Sequence, residues 1–388
     1  MPRKSLEVDV KPAVMKYFIE SSGWAAEKLS GKIKVSQPVI QAWLEGGAKP
    51  TLNQLERLSA ALKRPLAAFL LSEPPKEKPL PKDYRTLPGK EGRFDKNTIL
   101  ALRRARRLQK ISKELSENLR YSPKSAINSY SAQANPKNVG REYRELFKIT
   151  EDVQKIWKTP YDAFSRLRDA IEEKNILVFQ MPMPLEDARG FTLVDDDPAV
   201  IVVNLKDQIE AKIFTLMHEF GHVLLKESGV SLGENSLIVH NADKVEKWCN
   251  EFASSFLLPE EMANAVFGSN KAALTDTATL NSLSRAYKIS KCMLLYNMQK
   301  LGYINNEQRE EVLGRYKPAA QKEPKAGEKK GGGFKRSAEK KCMSEMGQKF
   351  VSLVISNMEK GNITQRDALD YLSIKSKNLD KVTNRLKK

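Results

Sequence analysis

The spacing of apolar residues changes along the chain, and each change marks a different kind of element. From about residue 12 to 72, short apolar clusters at helical spacing alternate with glycine, serine and proline, which predicts five short helices. Trp24 to Leu29 reads as one of them, with Gly31 permitting the turn after it. Ser36 stands as the cap of the next, which runs through Leu44 and turns Ile40 and Trp43 inward. A linker rich in proline and lysine, EPPKEKPLPK, follows. NTILALRRARRLQKISKELSENL (97–119) then places apolar residues at 99, 102, 108, 111, 115 and 119, and Asp95 or Asn97 can cap that helix. Residues 161–175 are again helical in pattern, with Phe164, Leu167 and Ile171 in step.

The period then shortens. NILVF (175–179), GFTLV (190–194) and PAVIVVN (198–204) are runs rich in β-branched residues, and DDDP (195–198) supplies the turn between the last two. A small antiparallel sheet is expected. Helices follow from about 207. The stretch 317–341, KPAAQKEPKAGEKKGGGFKRSAEKK, has too few apolar residues to fold and is expected to be disordered. A final helical pair is expected over 343–386, broken at Gly361-Asn362. No fixed-period repeat is present. The pattern divides the chain into a helical block (1–74), a linker with a basic amphipathic helix (75–139), an α+β segment (140–315), a disordered basic linker (316–342) and a helical C-terminal extension (343–388). The fold class is thus multidomain and mainly α, with one small sheet.

Charge sharpens this division. The chain carries a net +18 over 388 residues, but unevenly: +4 in 1–74, +9 in 75–124, −6 in 125–314 and +11 in 315–388. The basic segments suit a phosphate backbone, and a lysine-rich tail is also simply soluble. No run of eighteen apolar residues appears, so no membrane span is expected. The N-terminal residues lack an apolar signal core, and Cys249, Cys292 and Cys342 are scattered and odd in number. A cytoplasmic protein without a disulfide framework is expected.

Chemistry concentrates in one place. The chain has three histidines, and two stand four apart in LMHEFGH (216–222), inside an apolar helical run. At 3.6 residues per turn, His218 and His222 project from one face, one turn apart, and can share a metal ion. Glu219 lies near enough to that face to reach a water on the same ion, the H-E-x-x-H arrangement of zinc peptidases. Without a metal, burying two imidazoles and a carboxylate would be costly.

A catalytic zinc site needs three protein ligands and one open position. In ADKVEKWCNEFASSFLLPEE (242–261), residues 246, 249, 250, 253, 256 and 257 share a helical face, with Lys247, Glu251, Ser254 and Ser255 opposite. Glu246 and Asn250 are therefore polar groups on the core-facing stripe. Glu246 is assigned as third ligand. Asn250 can orient a ligand histidine through a hydrogen bond. His240, in the polar loop SLIVHNAD, and Cys249 are the alternative third ligands. Zinc is the default ion, although two histidines and a glutamate can also hold manganese or another divalent metal.

The run ARGFTLVDDDPAVIVVN, then FTLMHEFGH, then EKWCNEFASSFLLP resembles the ImmA/IrrE metallopeptidases over roughly residues 140–315. The resemblance implies a zincin-like α+β core and site-specific endopeptidase activity on a transcriptional repressor or antitoxin-like regulator. By position it implies metal ligands His218, His222 and Glu246 and the catalytic base Glu219. The E-x-x-x-N pair looks like a variant of the E-x-x-x-D pair of thermolysin-type enzymes, which supports the role given to Asn250. GFTLV is a candidate edge strand for pairing with an extended substrate, or an ordinary core strand.

The N-terminal block resembles the Cro/C1-type helix-turn-helix fold, whose SQxxIxxW pattern stands here as SQPVIQAW. The second helix of that motif enters the major groove. By position, Gln37, Pro38 and Gln41 would face base edges, and Lys32, Lys34 and Lys49 would meet phosphates of double-stranded DNA. Such a domain also allows a homodimer. Arg103, Arg104, Arg106 and Arg107 form either a solvated face or an extension of the phosphate contact. SLSRAYKISKCMLLYNMQKLGYI (282–304) has a similar cadence, but the resemblance to the ImmA/IrrE peptidases implies that such helices in their core are structural. The two function classes that fit are a DNA-tethered, metal-dependent endopeptidase, and a DNA-binding regulator whose peptidase fold is inactive or sensory.

Overall fold

The computed structural model describes residues 6–84, 93–233, 243–315 and 337–386. The chain forms two compact units. One takes the residues up to Leu80 with the segment ending at Arg103; the other takes those from Pro81 and from Arg104 onward.

The first unit holds α1 (Pro12–Glu20), α2 (Ala26–Ile33), α3 (Gln37–Glu45), α4 (Leu52–Leu62) and a 3-10 turn at Leu66–Leu70. Val14, Phe18, Leu29, Ile33, Ile40, Trp43, Leu55 and Phe69 form its core. Thr51 and Gln54 make a reciprocal capping box at the start of α4. The predicted stop at Gly31 is corrected. α2 runs through Gly31 to Ile33, and Lys34 ends it in a left-handed conformation at φ 56°. Ser30 Oγ donates to Val35 O at 2.6 Å and braces that turn.

The long predicted helix is α5 (Lys96–Asn118), started by Asp95, whose carboxylate accepts from Asn97 N at 2.8 Å. Its four arginines all have partners within the chain, and Arg107 is also exposed. Arg103 donates to the carbonyls of Ser21 and Leu62 within the first unit. Within the second unit Arg104 meets Ser373, Arg106 lies 3.7 Å from Asp195, and Arg107 pairs with Asp370 at 2.6 Å.

The second unit begins with β1 (Lys82–Asp83). After α5 come α6 (Pro136–Leu146), α7 (Glu151–Ile156), α8 (Pro160–Glu172), β2 (Leu177–Met181), β3 (Gly190–Leu193) and β4 (Val200–Asn204). The chain continues through α9 (Ile209–Leu225), β5 (Gly229–Ser231), α10 (Lys244–Leu257), α11 (Glu260–Ser269), α12 (Thr277–Tyr287), α13 (Lys291–Lys300) and α14 (Asn306–Arg315).

The sheet order is β1-β5-β3-β4-β2. It is mixed, which corrects the antiparallel expectation. β3 runs antiparallel to β4 and β5, but β2 pairs parallel with β4, and β1 parallel with β5. Only the β3–β4 hairpin is local in sequence, so only its direction could be read from a turn. β3, the GFTLV segment, lies in the middle of the sheet with both edges paired, and is not an edge strand. β2 and β4 are buried along their whole length because both faces of the sheet are covered. Val178, Ile201 and Val203 join the core built on α8, α9 and α10, whereas Phe179 meets Phe350 edge-on at 5.5 Å.

Phe350 belongs to the C-terminal region, where the expected helical pair proves to be four helices. They are α15 (Ala338–Met346), α16 (Gln348–Glu359), α17 (Gln365–Leu372) and α18 (Leu379–Leu386). α15 takes the end of the stretch expected to be disordered and packs on β2; the rest of that stretch lies outside the described residues.

Buried Gln154 ties the helices together. It accepts from Arg144 Nη1 at 2.9 Å and donates to the carbonyls of Leu257 and Tyr287, both at 2.9 Å. Gln154→Ala leaves these partners unsatisfied and is expected to destabilise the second unit by about 2 kcal/mol in urea unfolding.

Candidate metal centre

The apolar residues of α9 pack it against the sheet and α8, so its whole length from Ala211 to Leu225 is buried. His218, Glu219 and His222 are fully buried within it. α10 crosses α9 at a glycine: a Cβ on Gly221 would come within 3.2 Å of Cys249 Sγ and 3.3 Å of Cys249 Cα. That close approach brings the first turn of α10 over the histidines. Asp243 caps α10 by accepting from Val245 N at 2.8 Å, and Glu246 stands in that first turn, where the helix dipole favours a carboxylate.

The three side chains converge. Nε2 of His222 lies 2.9 Å from Glu246 Oε1 and 3.2 Å from Nε2 of His218, which is 3.5 Å from Glu246 Oε2. A tetrahedral ion with bonds of about 2.0–2.1 Å holds its ligand atoms about 3.3 Å apart, so these separations suit one ion. No other cluster of this kind occurs among the described residues. Two imidazole nitrogens facing one another and a buried carboxylate form a donor set that fits a divalent metal. Burial acts against charge on Glu246, yet the facing His218 and His222 hold its carboxyl down to about 2. Burial likewise opposes charge on His218, but Glu246 outweighs it and raises that imidazole above its ordinary value.

The alternatives to Glu246 fall elsewhere. His240 lies outside the described residues. Cys249 packs on Gly221, and burial keeps its thiol protonated. Asn250 is buried beside the His218 ring and favours its charged form; Nδ1 of each histidine is without a hydrogen-bond partner among the described residues. Ser254, expected on the outer face of α10, is buried and donates to Asn297 at 2.8 Å.

Glu219 points to the sheet. Its carboxylate accepts from Thr192 Oγ1 at 2.7 Å and from Ser231 Oγ at 2.5 Å. Burial raises its carboxyl above the ordinary value, against the pull of the two histidines. A Cβ on Gly190 would come within 2.7 Å of Glu219 Oε1, so β3 passes against this side chain at a position that admits only glycine. The sequence reading missed Thr192 and Ser231. Their signal was there: each is a hydroxyl in an otherwise apolar strand.

In the first unit Gln37, Pro38 and Gln41 are exposed on α3, and Lys32 and Lys34 are exposed around the preceding turn. Gln41 Nε2 donates to Glu45 at 2.6 Å, and Lys49 pairs with Asp9 at 3.1 Å. Both contacts are exposed and cost little to exchange for another partner.

Residues 171–299 match the family model of the IrrE N-terminal-like domain, a peptidase family, and residues 15–69 match the helix-turn-helix model. The chain therefore joins an N-terminal helix-turn-helix domain to a domain of the ImmA/IrrE kind. A search of curated proteins returned no match. No helix among the described residues is long and apolar enough to cross a membrane.

Glu246→Ala removes one of three converging donors. Since loss of an outer-shell partner alone costs 10–100-fold, zinc affinity is expected to fall more than about 100-fold in a chelator competition.

Proposed function

We propose that this protein is a cytoplasmic, metal-dependent endopeptidase that cleaves a transcriptional repressor or antitoxin-like regulator, and that its helix-turn-helix domain binds double-stranded DNA. The observation that carries the reading is the convergence of His218, His222 and Glu246, with Glu219 one residue away on the same helix. Zinc is the ion this donor set would hold first, with manganese as another candidate. When bound, such an ion supplies Lewis acidity and a water of lowered pKa. The chain's own groups do the rest. Glu219 accepts the proton of the attacking water at a carboxylate oxygen and delivers it to the departing amine. Thr192 and Ser231 hold that carboxylate in place, and Asn250 favours the charged form of His218.

On DNA, Gln37, Pro38 and Gln41 face base edges, and Lys32, Lys34 and Lys49 meet phosphates. Tethering to DNA would raise the local concentration of a DNA-bound regulator. A second reading, a DNA-binding regulator with a sensory peptidase fold, draws on the burial of all four site residues in the described state.

Cleavage of candidate repressors from adjacent reading frames decides between them. Glu219→Gln is expected to lower the rate about 10²–10⁴-fold with metal content unchanged; a variant that cuts at the wild-type rate would overturn the mechanism. For DNA, Lys32→Ala is expected to weaken binding at all sequences and reduce the salt slope by about 1, whereas Gln41→Ala relaxes discrimination at one base pair by about 1–3 kcal/mol, both read in salt-titrated binding assays.

A further inference from the structure

Beside the metal centre the sheet ends in β1, the two-residue strand that covers the outer side of β5. Lys82 N donates to Ser228 O at 3.3 Å, and Tyr84 N donates to Val230 O at 3.2 Å. The segment thus lies on β5, the strand whose Ser231 holds Glu219. Tyr84 is buried, with its ring centroid 5.1 Å from that of His222. Its hydroxyl donates to Glu227 at 3.4 Å. Room for the ring comes from Gly229, where a Cβ would stand 2.3 Å from it. Lys82 Nζ sits over the same ring at 4.5 Å and pairs at 3.0 Å with Asp243, the cap of the helix that carries Glu246.

Three consecutive residues therefore touch β5, α9 and α10, the elements that position Ser231, His218, Glu219, His222 and Glu246. Their attachment combines two strand hydrogen bonds, an ion pair whose side chains are 55% and 39% exposed, and the buried Tyr84 ring. An extended chain added to a sheet edge takes its affinity from backbone hydrogen bonds and its specificity from pockets for alternate side chains. Here the pocket lies against a histidine ring and is bare of side chain at Gly229, which fits a flat aromatic group.

We propose that the β5 edge is the docking surface for an extended polypeptide segment carrying an aromatic side chain, and that Lys82–Tyr84 occupies it as an internal stand-in which an incoming segment must displace. The docking surface is independent of catalysis; calling the incoming segment a substrate rests on the peptidase reading above. A segment that competes with a tethered one binds with an affinity reduced by the fraction of molecules whose edge is free. The occupied edge thus holds the protein closed until a partner strand arrives.

The test uses the full-length Glu219→Gln protein loaded with zinc and a fluorescent peptide of residues 78–84, KPLPKDY. Adding Lys82→Glu, which sets an acid at position 82 against Asp243, or Tyr84→Ala is expected to tighten peptide binding about tenfold or more, as freeing the edge requires. A peptide with alanine in place of its tyrosine is expected to bind to neither. Zinc extraction by a chelator is expected to accelerate in Tyr84→Ala and not in Tyr84→Phe, which keeps the ring; circular dichroism checks that each variant is folded. Unchanged peptide binding in both opened variants would overturn the inference, as would equal extraction rates in Tyr84→Ala and Tyr84→Phe, which would assign the effect to the hydroxyl. Peptide binding to the opened edge, with no proteolysis by any protein that retains Glu219, would support the docking surface while removing the peptidase reading.

Discussion

The site depends on how closely two helices approach. α9 brings two imidazoles and Glu219 into the core, and the third converging donor comes from another helix. α10 supplies Glu246, and it reaches the histidines because Gly221 lets Cys249 lie against the α9 backbone. A larger residue at 221 would force the helices apart by part of an ångström, on a site whose donor atoms are 2.9–3.5 Å from one another. The glycine of HEFGH is thus part of the geometry that makes a donor set out of residues 24 positions apart.

The second constraint is the desolvation of charge. Glu219, His218, His222 and Glu246 are all removed from water, an expensive arrangement unless each group has a partner. Glu219 finds two hydroxyls on β3 and β5; Glu246 and the histidines find one another. The sheet therefore serves as more than a platform. Its inner strand leaves space for Glu219 at Gly190, its Thr192 and Ser231 hold the carboxylate, and its outermost strand, Lys82–Asp83, leads to the ring that covers His222. Segments distant in sequence, from 82 to 246, are drawn together by pairings only two or three residues long.

What could be read from residues alone follows from how local each interaction is. His218 and His222 are one helical turn apart, so their common face needs no tertiary information. Glu246 was legible as a carboxylate on a core-facing stripe, and the four α-helices and 3-10 turn of the N-terminal block followed from apolar spacing, although Ser36 makes no side-chain cap. The direction of β2, the short strands Lys82–Asp83 and Gly229–Ser231, and the covering of the sheet by α15 and α16 were not legible. Each depends on a partner far away in the chain, and runs of two or three residues carry no period. The arginines of α5 show the same limit: a basic stripe reads alike whether a residue meets solvent, as Arg107 largely does, or carbonyls of its own protein, as Arg103 does.

Zinc K-edge X-ray absorption on the full-length protein loaded with one equivalent of zinc tests the convergence most directly. Two imidazole nitrogens with carboxylate and solvent oxygens at about 2.0–2.1 Å, and no sulfur, are predicted, with the two-imidazole signature retained in Glu219→Gln. A sulfur neighbour at about 2.3 Å, or a shell with fewer than two imidazoles, would contradict a site built from His218, His222 and Glu246.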